Sequence, residues 1–122
     1  MTLPIAPGLR VYLAPGATDM RKSFRGLMAA TREVLQEDPL SGHLFGFCNR
    51  RRTLIKLLLW DTTGFWIFAK RLEQGTFAWP EAPPKERKLV LSGEELAAVL
   101  GGYSLDLSTR RRWWGRDERR PA

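Results

Sequence analysis

The chain is short of the residues on which most catalytic and metal chemistry rests. It contains one cysteine, Cys48, and one histidine, His43, in 122 residues. A single thiol excludes an intramolecular disulfide and fits a reducing compartment. One imidazole and one thiol cannot furnish a zinc site without several carboxylates, so no metal and no cofactor is expected. His43 follows a turn at Gly42 and reads as structural, and Cys48, at a strand end, reads as a small buried side chain. No nucleophile elbow, P-loop or glycine-rich dinucleotide loop occurs. Long apolar runs are also missing: the longest, Leu57–Trp60, falls far below the ~20 residues of a membrane span, and no membrane partner is expected. The N-terminal MTLPIAPGLRVYLAPG lacks a basic stretch followed by an apolar one, so no signal peptide is expected and the cytoplasm is the expected location.

Negative charge is scarce as well. Thirteen acidic residues stand against twenty lysines and arginines, for a net charge of +7 and a pI of 10.3. That balance favours an anionic partner such as nucleic acid, an acidic protein or a membrane surface. Hydrophobic residues make up 43% of the chain, enough for one domain with an ordinary core.

What is present is concentrated in Ser41–Pro80. The spacing predicts strands at Leu44–Cys48, Leu54–Trp60, Phe65–Arg71 and Thr76–Trp79, joined by Asn49–Thr53, Asp61–Gly64 and Leu72–Gly75. Connections this short imply antiparallel hairpins, hence a four-stranded meander. If Trp60 pairs with Phe65, then Ile55, Leu57, Leu59, Trp66 and Phe68 share one face, and Phe45, Phe47, Phe77 and Trp79 can join it. The opposite face then holds Leu44, Gly46, Cys48, Lys56, Leu58, Trp60, Phe65, Ile67 and Ala69. Both faces are largely apolar, so a helix must cover one, and a terminal segment, a second subunit or a partner the other. The aromatic face is the expected helix-packing face, with Lys56 beside Trp60 marking a partly open one.

Upstream, Arg10–Ala14 is a short strand candidate stopped by Pro15 and Gly16. Thr18 and Asp19 are N-cap candidates for a helix over Met20–Gln36, with Pro39 just beyond its end. Met20, Phe24, Leu27, Met28, Thr31, Val34 and Leu35 fall within an arc of roughly 120°, the expected core face. Arg21, Lys22 and Arg25 lie near the N-terminus of this helix and Glu33, Glu37 and Asp38 near its C-terminus, against the macrodipole. Free N–H groups beside three cations would attract an anion. After Pro80, EAPPKERK has a linker composition, Leu89–Leu91 is a short strand candidate, and Ser92-Gly93-Glu94-Glu95 opens a helix that Gly101 and Gly102 end. The expected domain is 1–103, followed by a basic Arg/Trp-rich tail, 104–122, flexible in isolation.

The basic residues are the strongest functional signal. Arg50, Arg51, Arg52, Lys56, Lys70 and Arg71 sit on or beside the meander and outnumber Asp61 and Glu73. Such side chains contact phosphates without reading sequence. Arg110, Arg111 and Arg112, followed by Trp113 and Trp114, add a second cluster with stacking groups, suited to single-stranded or distorted nucleic acid or to a protein groove. A metal-dependent nuclease would have to draw on Asp19, Asp61 and Glu73. Asp19 suits a helix cap and the other two suit turns, so no catalytic residue is assigned.

Six segments, in order, carry a family resemblance: R-V-Y-L-A at Arg10–Ala14, T-D-M-R-K-S-F-R-G-L at Thr18–Leu27, S-G-H-L-F-G-F at Ser41–Phe47, L-I-K-L-L-L-W-D at Leu54–Asp61, G-F-W-I-F-A-K-R-L-E-Q-G at Gly64–Gly75 and F-A-W-P at Phe77–Pro80. From Gly8 to about Tyr103 the chain resembles the TnpB accessory proteins, encoded by the second open reading frame of insertion-sequence elements of the sixty-six family. Gly46 and Ala69 are smaller than the resemblance leads one to expect. The resemblance implies a bacterial protein that assists transposition while a separate transposase performs strand transfer. The expected protein is thus an α+β domain, a four-stranded antiparallel β-meander packed by one amphipathic helix with a small C-terminal helix. It is non-catalytic and contacts DNA at the element ends, the cognate transposase or both, and a homo-oligomer is compatible with it. The alternative is a protein-interaction adaptor that docks the transposase through an apolar sheet face, its charge serving solubility.

Overall fold

Leu44–Cys48 is buried at every position. A strand with no exposed face must lie inside a sheet covered on both sides. In the computed structural model, which describes residues 8–81 and 86–102, this strand is the centre of a five-stranded mixed sheet. The elements in chain order are β1 (Val11–Ala17), α1 (Phe24–Glu33), β2 (Leu44–Cys48), β3 (Leu54–Trp60), β4 (Phe65–Arg71), β5 (Leu89–Leu91) and α2 (Gly93–Leu100). The spatial order is β4-β3-β2-β1-β5. β2, β3 and β4 form the expected antiparallel run. β1 pairs parallel to β2 and antiparallel to β5. A parallel pair needs a long crossover, and α1 supplies it.

Three expectations about the strands are corrected. Thr76–Trp79 is not a strand. Gly75 takes a positive φ of 75°, and the chain then crosses the sheet face instead of joining its edge. There Phe77 and Trp79 are buried, the Phe77 amide donates to the Arg52 carbonyl at 2.7 Å, and the Trp79 indole donates to the Ala14 carbonyl at 2.9 Å. Alternating burial along an extended segment does not itself supply a ladder partner. Next, β1 runs through Pro15 and Gly16 to Ala17, with an irregularity in its pairing between Leu13 and Ala17; proline is tolerated at such a break. Finally, β2 is turned over by one residue. Phe45 and Phe47 lie on the face of Tyr12 and Leu58, while Leu44 and Cys48 lie with Ile55, Leu57 and Leu59. When every residue of a strand is apolar, hydrophobic pattern cannot fix register.

The β3–β4 register is the expected one, with Trp60 opposite Phe65. α1, however, packs on the Phe45/Phe47/Leu58 face, through Leu27, Ala30 and the following Leu35. The opposite face, which carries Ile55, Leu57 and Leu59, is covered by Phe77, Trp79 and the α2 residues Leu96 and Val99. A segment of the chain itself therefore closes the second apolar face.

α1 is shorter than the predicted Met20–Gln36 at both ends. Asp19 does not cap it, because its carboxylate accepts from the Arg21 amide at 2.9 Å and from the Arg21 side chain. Ser23 holds the N-cap position with no side-chain capping bond. At the other end Gln36 enters the left-handed region at φ 54°, and the Glu37 amide closes back on the Thr31 carbonyl at 3.1 Å. Phe24 and Val34, expected on the core face, are 46% and 45% exposed; the small Ala30 takes the contact position and lets the helix sit close to the sheet. α2 has its expected capping box, with Ser92 and Glu95 exchanging two hydrogen bonds. The tail from 104, including the boundary at 103, lies outside the described residues.

Gly46 now has a physical account. A Cβ there would sit 2.4 Å from Leu13 Cδ2 and 3.1 Å from Leu57 Cδ2, with Trp79 at 3.8 Å. Leu13 and Trp79 fill the space a side chain would need. Gly46→Ala is expected to lower stability by about 1–3 kcal/mol through overpacking, read as a lower urea midpoint with unchanged slope.

Candidate nucleic-acid interface

The three arginines after β2 do not act as a unit. Asn49 organises the turn: its Oδ1 accepts from the Thr53 and Leu54 amides at 2.8 and 3.1 Å, and its Nδ2 donates to Thr53 Oγ1 at 3.0 Å. Arg52 takes a left-handed φ of 60°, which reverses the chain. Arg50 and Arg51 are left exposed at the tip. Arg52 turns inward, where its Nη2 donates to the Pro15 carbonyl at 2.9 Å and its guanidinium lies 5.8 Å from the Trp79 ring centroid. Two of the three cations face solvent and the third ties the turn to β1.

Lys56 likewise works inside the fold. Its Nζ donates to the carbonyls of Met20 and Lys22 at 2.7 and 2.9 Å. These carbonyls belong to the stretch that leads into α1, so one half-buried ammonium on β3 fixes where the helix starts. The Thr18 amide, donating to the Cys48 carbonyl at 2.8 Å, fixes the other end of that stretch. Lys70 donates to the Leu100 carbonyl at 2.8 Å and so satisfies a C-terminal carbonyl of α2, where positive charge is favoured. Lys70 lies opposite Ile55, as expected, and Arg71 opposite Leu54.

Arg21 is exposed but engaged, with its Nη2 2.7 Å from Asp19 Oδ2. The Arg21 side chain is the main reason the Asp19 carboxyl is held well below the usual carboxylate range. Lys22, Arg25, Arg50, Arg51 and Arg71 are exposed and make no side-chain hydrogen bond or ion pair to another described residue. Topology collects them at one end of the sheet. The β2–β3 turn carries Arg50 and Arg51, the C-terminal end of β4 brings Arg71 level with that turn, and Lys56 pins the Lys22 stretch beside it. Arg25 stands in the first turn of α1, which has no acidic residue and no side-chain cap. Lys22 and Arg21 precede the helix, so of the three predicted cations only Arg25 lies within it. Among the described residues the exposed acids at this end are Glu73 and Asp19, the latter paired with Arg21. Arg110, Arg111 and Arg112 lie outside the described residues.

Two of the three carboxylates considered for chemistry are occupied, Asp19 by Arg21 and Asp61 by its own turn. At the opposite end of the sheet, Asp61 Oδ1 accepts from the Thr63 amide, the Thr63 hydroxyl and the Gly64 amide, each at 3.0 Å, and Oδ2 accepts from the Trp66 indole at 2.6 Å. The indole, followed by Thr63, pulls the Asp61 carboxyl from 3.8 down to about 2. This turn holds Thr62 at a φ of 82°, uncommon for a β-branched residue. Among the described residues no three His, Cys, Asp or Glu side chains gather as metal ligands. His43 Nδ1 accepts from the Arg10 amide at 3.0 Å and the ring sits edge-on to Tyr12. Cys48 is fully buried, and burial pushes its thiol up despite the nearby Arg52.

The internal roles of Arg52, Lys56 and Lys70 escaped sequence reasoning, because a cation that satisfies backbone carbonyls looks like any other in a sequence. Asn49 gave a partial signal: an Asn opening a short turn is suited to bonding the backbone beyond it.

Comparison with known proteins agrees with the fold-wide character of the motifs. A family described as IS66 Orf2-like protein matches residues 9–110. The uncharacterized protein y4hO of Sinorhizobium fredii is 39% identical over 100 residues, covering 82% of this chain and 85% of its own length. A second uncharacterized protein of that organism, y4jC, is 33% identical over 114 residues, covering 93% of this chain and 88% of its own. No solved structure matches significantly. Among the described residues no helix is long and apolar enough to cross a membrane.

Two outcomes follow from the split between engaged and free cations. Lys56→Met should cost about 1–3 kcal/mol, since two carbonyls lose a charged donor, and should speed amide exchange over residues 18–23. Arg50→Ala/Arg51→Ala should not lower the urea midpoint, and at low salt should raise it slightly by relieving like-charge repulsion. For Asp61, whose folded value is depressed, the stabilising bonds are complete above pH 3.8 and are lost as pH falls through about 2. The Trp66 indole N–H resonance should therefore titrate with a midpoint near 2, and Asp61→Asn should abolish that titration.

Proposed function

The chain belongs to the IS66 Orf2-like family, a transposition-associated family, and from that premise we propose that it is a non-catalytic accessory protein that contacts DNA phosphates through one cationic end of its sheet. The observation that carries this reading is the convergence of Lys22, Arg25, Arg50, Arg51 and Arg71, exposed and with no side-chain hydrogen bond or ion pair to another described residue, on that end. Flexible cations spread over a turn, a strand end and a helix start suit a phosphate backbone, which presents charge at regular spacing and carries no base information. The uncapped first turn of α1 adds free N–H groups of the kind that favour anions. The DNA is that of the element ends, bound alone or within the transposase–DNA complex.

The adaptor reading rested on an open apolar sheet face. Over the central strands both faces are covered, by α1 on one side and by Phe77, Trp79 and α2 on the other, which favours contact through charge.

The measurement is a salt titration of binding to duplex carrying the element ends and to random duplex. Affinity should fall steeply with salt. Arg50→Ala/Arg51→Ala should weaken binding to both duplexes and reduce the slope of log K against log salt by about 2, roughly one for each lost phosphate contact. No binding at low salt, alongside tight salt-insensitive capture by the transposase, would replace this reading with the adaptor. Loss of intact end-labelled duplex in Mg²⁺ or Mn²⁺ would replace it with a nuclease.

A further inference from the structure

Among the described residues β4 is an edge strand with one free side. The sheet ends at β4 on one flank and at β5 on the other. β5 is three residues long, whereas β4 is seven. A long edge with apolar side chains is a template for another strand unless something blocks it.

The hydrogen-bond phase of the β3–β4 hairpin shows which groups are free. The Asp61 amide donates to the Gly64 carbonyl at 3.0 Å and the Leu72 amide to the Thr53 carbonyl at 2.9 Å. With the one-to-one register between these anchors, the backbones of Trp66, Phe68 and Lys70 point toward β3. Those of Phe65, Ile67, Ala69 and Arg71 point away from it. Antiparallel pairing of β4 with a second β4 about Phe68 sets Phe65 against Arg71 and Ile67 against Ala69, and the reverse pairs by symmetry. Every outward residue then meets an outward residue, the condition for exchanging two hydrogen bonds per pair.

The side chains agree with that register. On one face Trp66 meets Lys70 of the second copy and Phe68 meets Phe68 of the second copy; on the other Phe65 meets Arg71 and Ile67 meets Ala69. Phe65 against Arg71 sets an aromatic ring against a free cation, while Lys70, its Nζ held by the Leu100 carbonyl, offers Trp66 its apolar stem; each contact recurs by symmetry. Parallel in-register pairing would oppose Lys70 to Lys70 and Arg71 to Arg71, which is unfavourable. The strand's charge thus selects a closed two-fold pair over an open stack. Trp66 is prepared for such a contact. It is 51% exposed, its indole is fixed by Asp61, and it stacks on Phe68 at 5.8 Å and 7°. The small Ala69 leaves room for Ile67 of the second copy.

We infer that β4 is an interface between two copies of this chain, paired antiparallel about Phe68 so that one sheet runs through both. The residues after Gly102 are a less suitable occupant. Residues 103–122 carry six arginines against three acids, and would meet Lys70 and Arg71.

Sedimentation equilibrium of the whole chain across the micromolar range should show a mass rising from 14.0 kDa toward twice that. Ala69→Pro removes one outward N–H that the β3–β4 ladder does not use. It should weaken association by about tenfold or more while leaving the monomer folded. A register test avoids reliance on that variant: a mixture of Trp66→Cys and Lys70→Cys proteins should oxidise mainly to the mixed disulfide, with little of either self-linked product. In hydrogen exchange the amides of Phe65, Ile67, Ala69 and Arg71 should gain protection as concentration rises. A monomer at all concentrations overturns the inference. So does protection that is independent of concentration, which would place the chain's own residues on the edge, or cross-linking without preference for the mixed pair.

Discussion

The structure depends on one constraint: a central strand that is apolar on both sides must be covered on both sides. All of Leu44–Cys48 is buried, and neither face of a bare meander could remain in water. The chain meets the constraint twice, by different means. On one face α1 crosses from β1 to β2, which makes those two strands parallel and places Phe45 and Phe47 under Leu27 and Leu35. On the other, Phe77 and Trp79 lie across the sheet beside α2. Gly46 belongs to this second solution, since its missing side chain is the space that Leu13 and Trp79 approach. The mixed topology is a consequence of covering β2.

Covering two faces creates a second requirement, to satisfy the backbone where the covering segments begin and end. Cations meet it at three places. Lys56 binds the carbonyls before α1, Lys70 binds the last carbonyl of α2, and Arg52 binds the Pro15 carbonyl beneath Trp79. A fourth, Lys88, pairs with Glu37 beyond α1 and lies 5.3 Å from the Tyr12 ring. Ammonium and guanidinium groups reach a carbonyl at the end of a long apolar stem, so they hold it while the stem packs. Part of the large positive charge of this chain is therefore structural, and net charge overstates what a ligand could meet.

Much of this was legible in the sequence. The spans of β2, β3, β4 and β5, the Trp60–Phe65 register and the Ser92 capping box were all readable, because turn residues and short connections constrain them locally. The β2 facing was not, since five apolar residues in a row carry no alternation to read. The fate of Thr76–Trp79 was not, since a period of two describes extended chain with or without a ladder partner. The start of α1 was misread because Asp19 has a competing partner two residues away in Arg21, an interaction that spacing alone does not weigh against capping. At the candidate interface the positions Arg50, Arg51 and Arg71 followed from turn and register. The removal of Arg52, Lys56 and Lys70 into internal bonds depended on which carbonyls the tertiary fold left unpaired.

The free cations carry an energetic implication of their own. Like charges gathered at one end of a small domain repel one another, and the repulsion acts on the folded state, where the sheet fixes their spacing, more than on an extended chain. Screening reduces this over a Debye length of ≈ 8 Å at physiological salt. An anion that bridges them relieves repulsion and gains attraction together. It therefore stabilises the folded chain in proportion to its occupancy, and most at low ionic strength, where the bare repulsion is greatest. The internally bonded cations respond differently: their partners are fixed carbonyls, present at every salt concentration. Ionic strength thus separates the two populations of charge that composition merges, and the same lysines and arginines divide into those that build the domain and those left to meet something outside it.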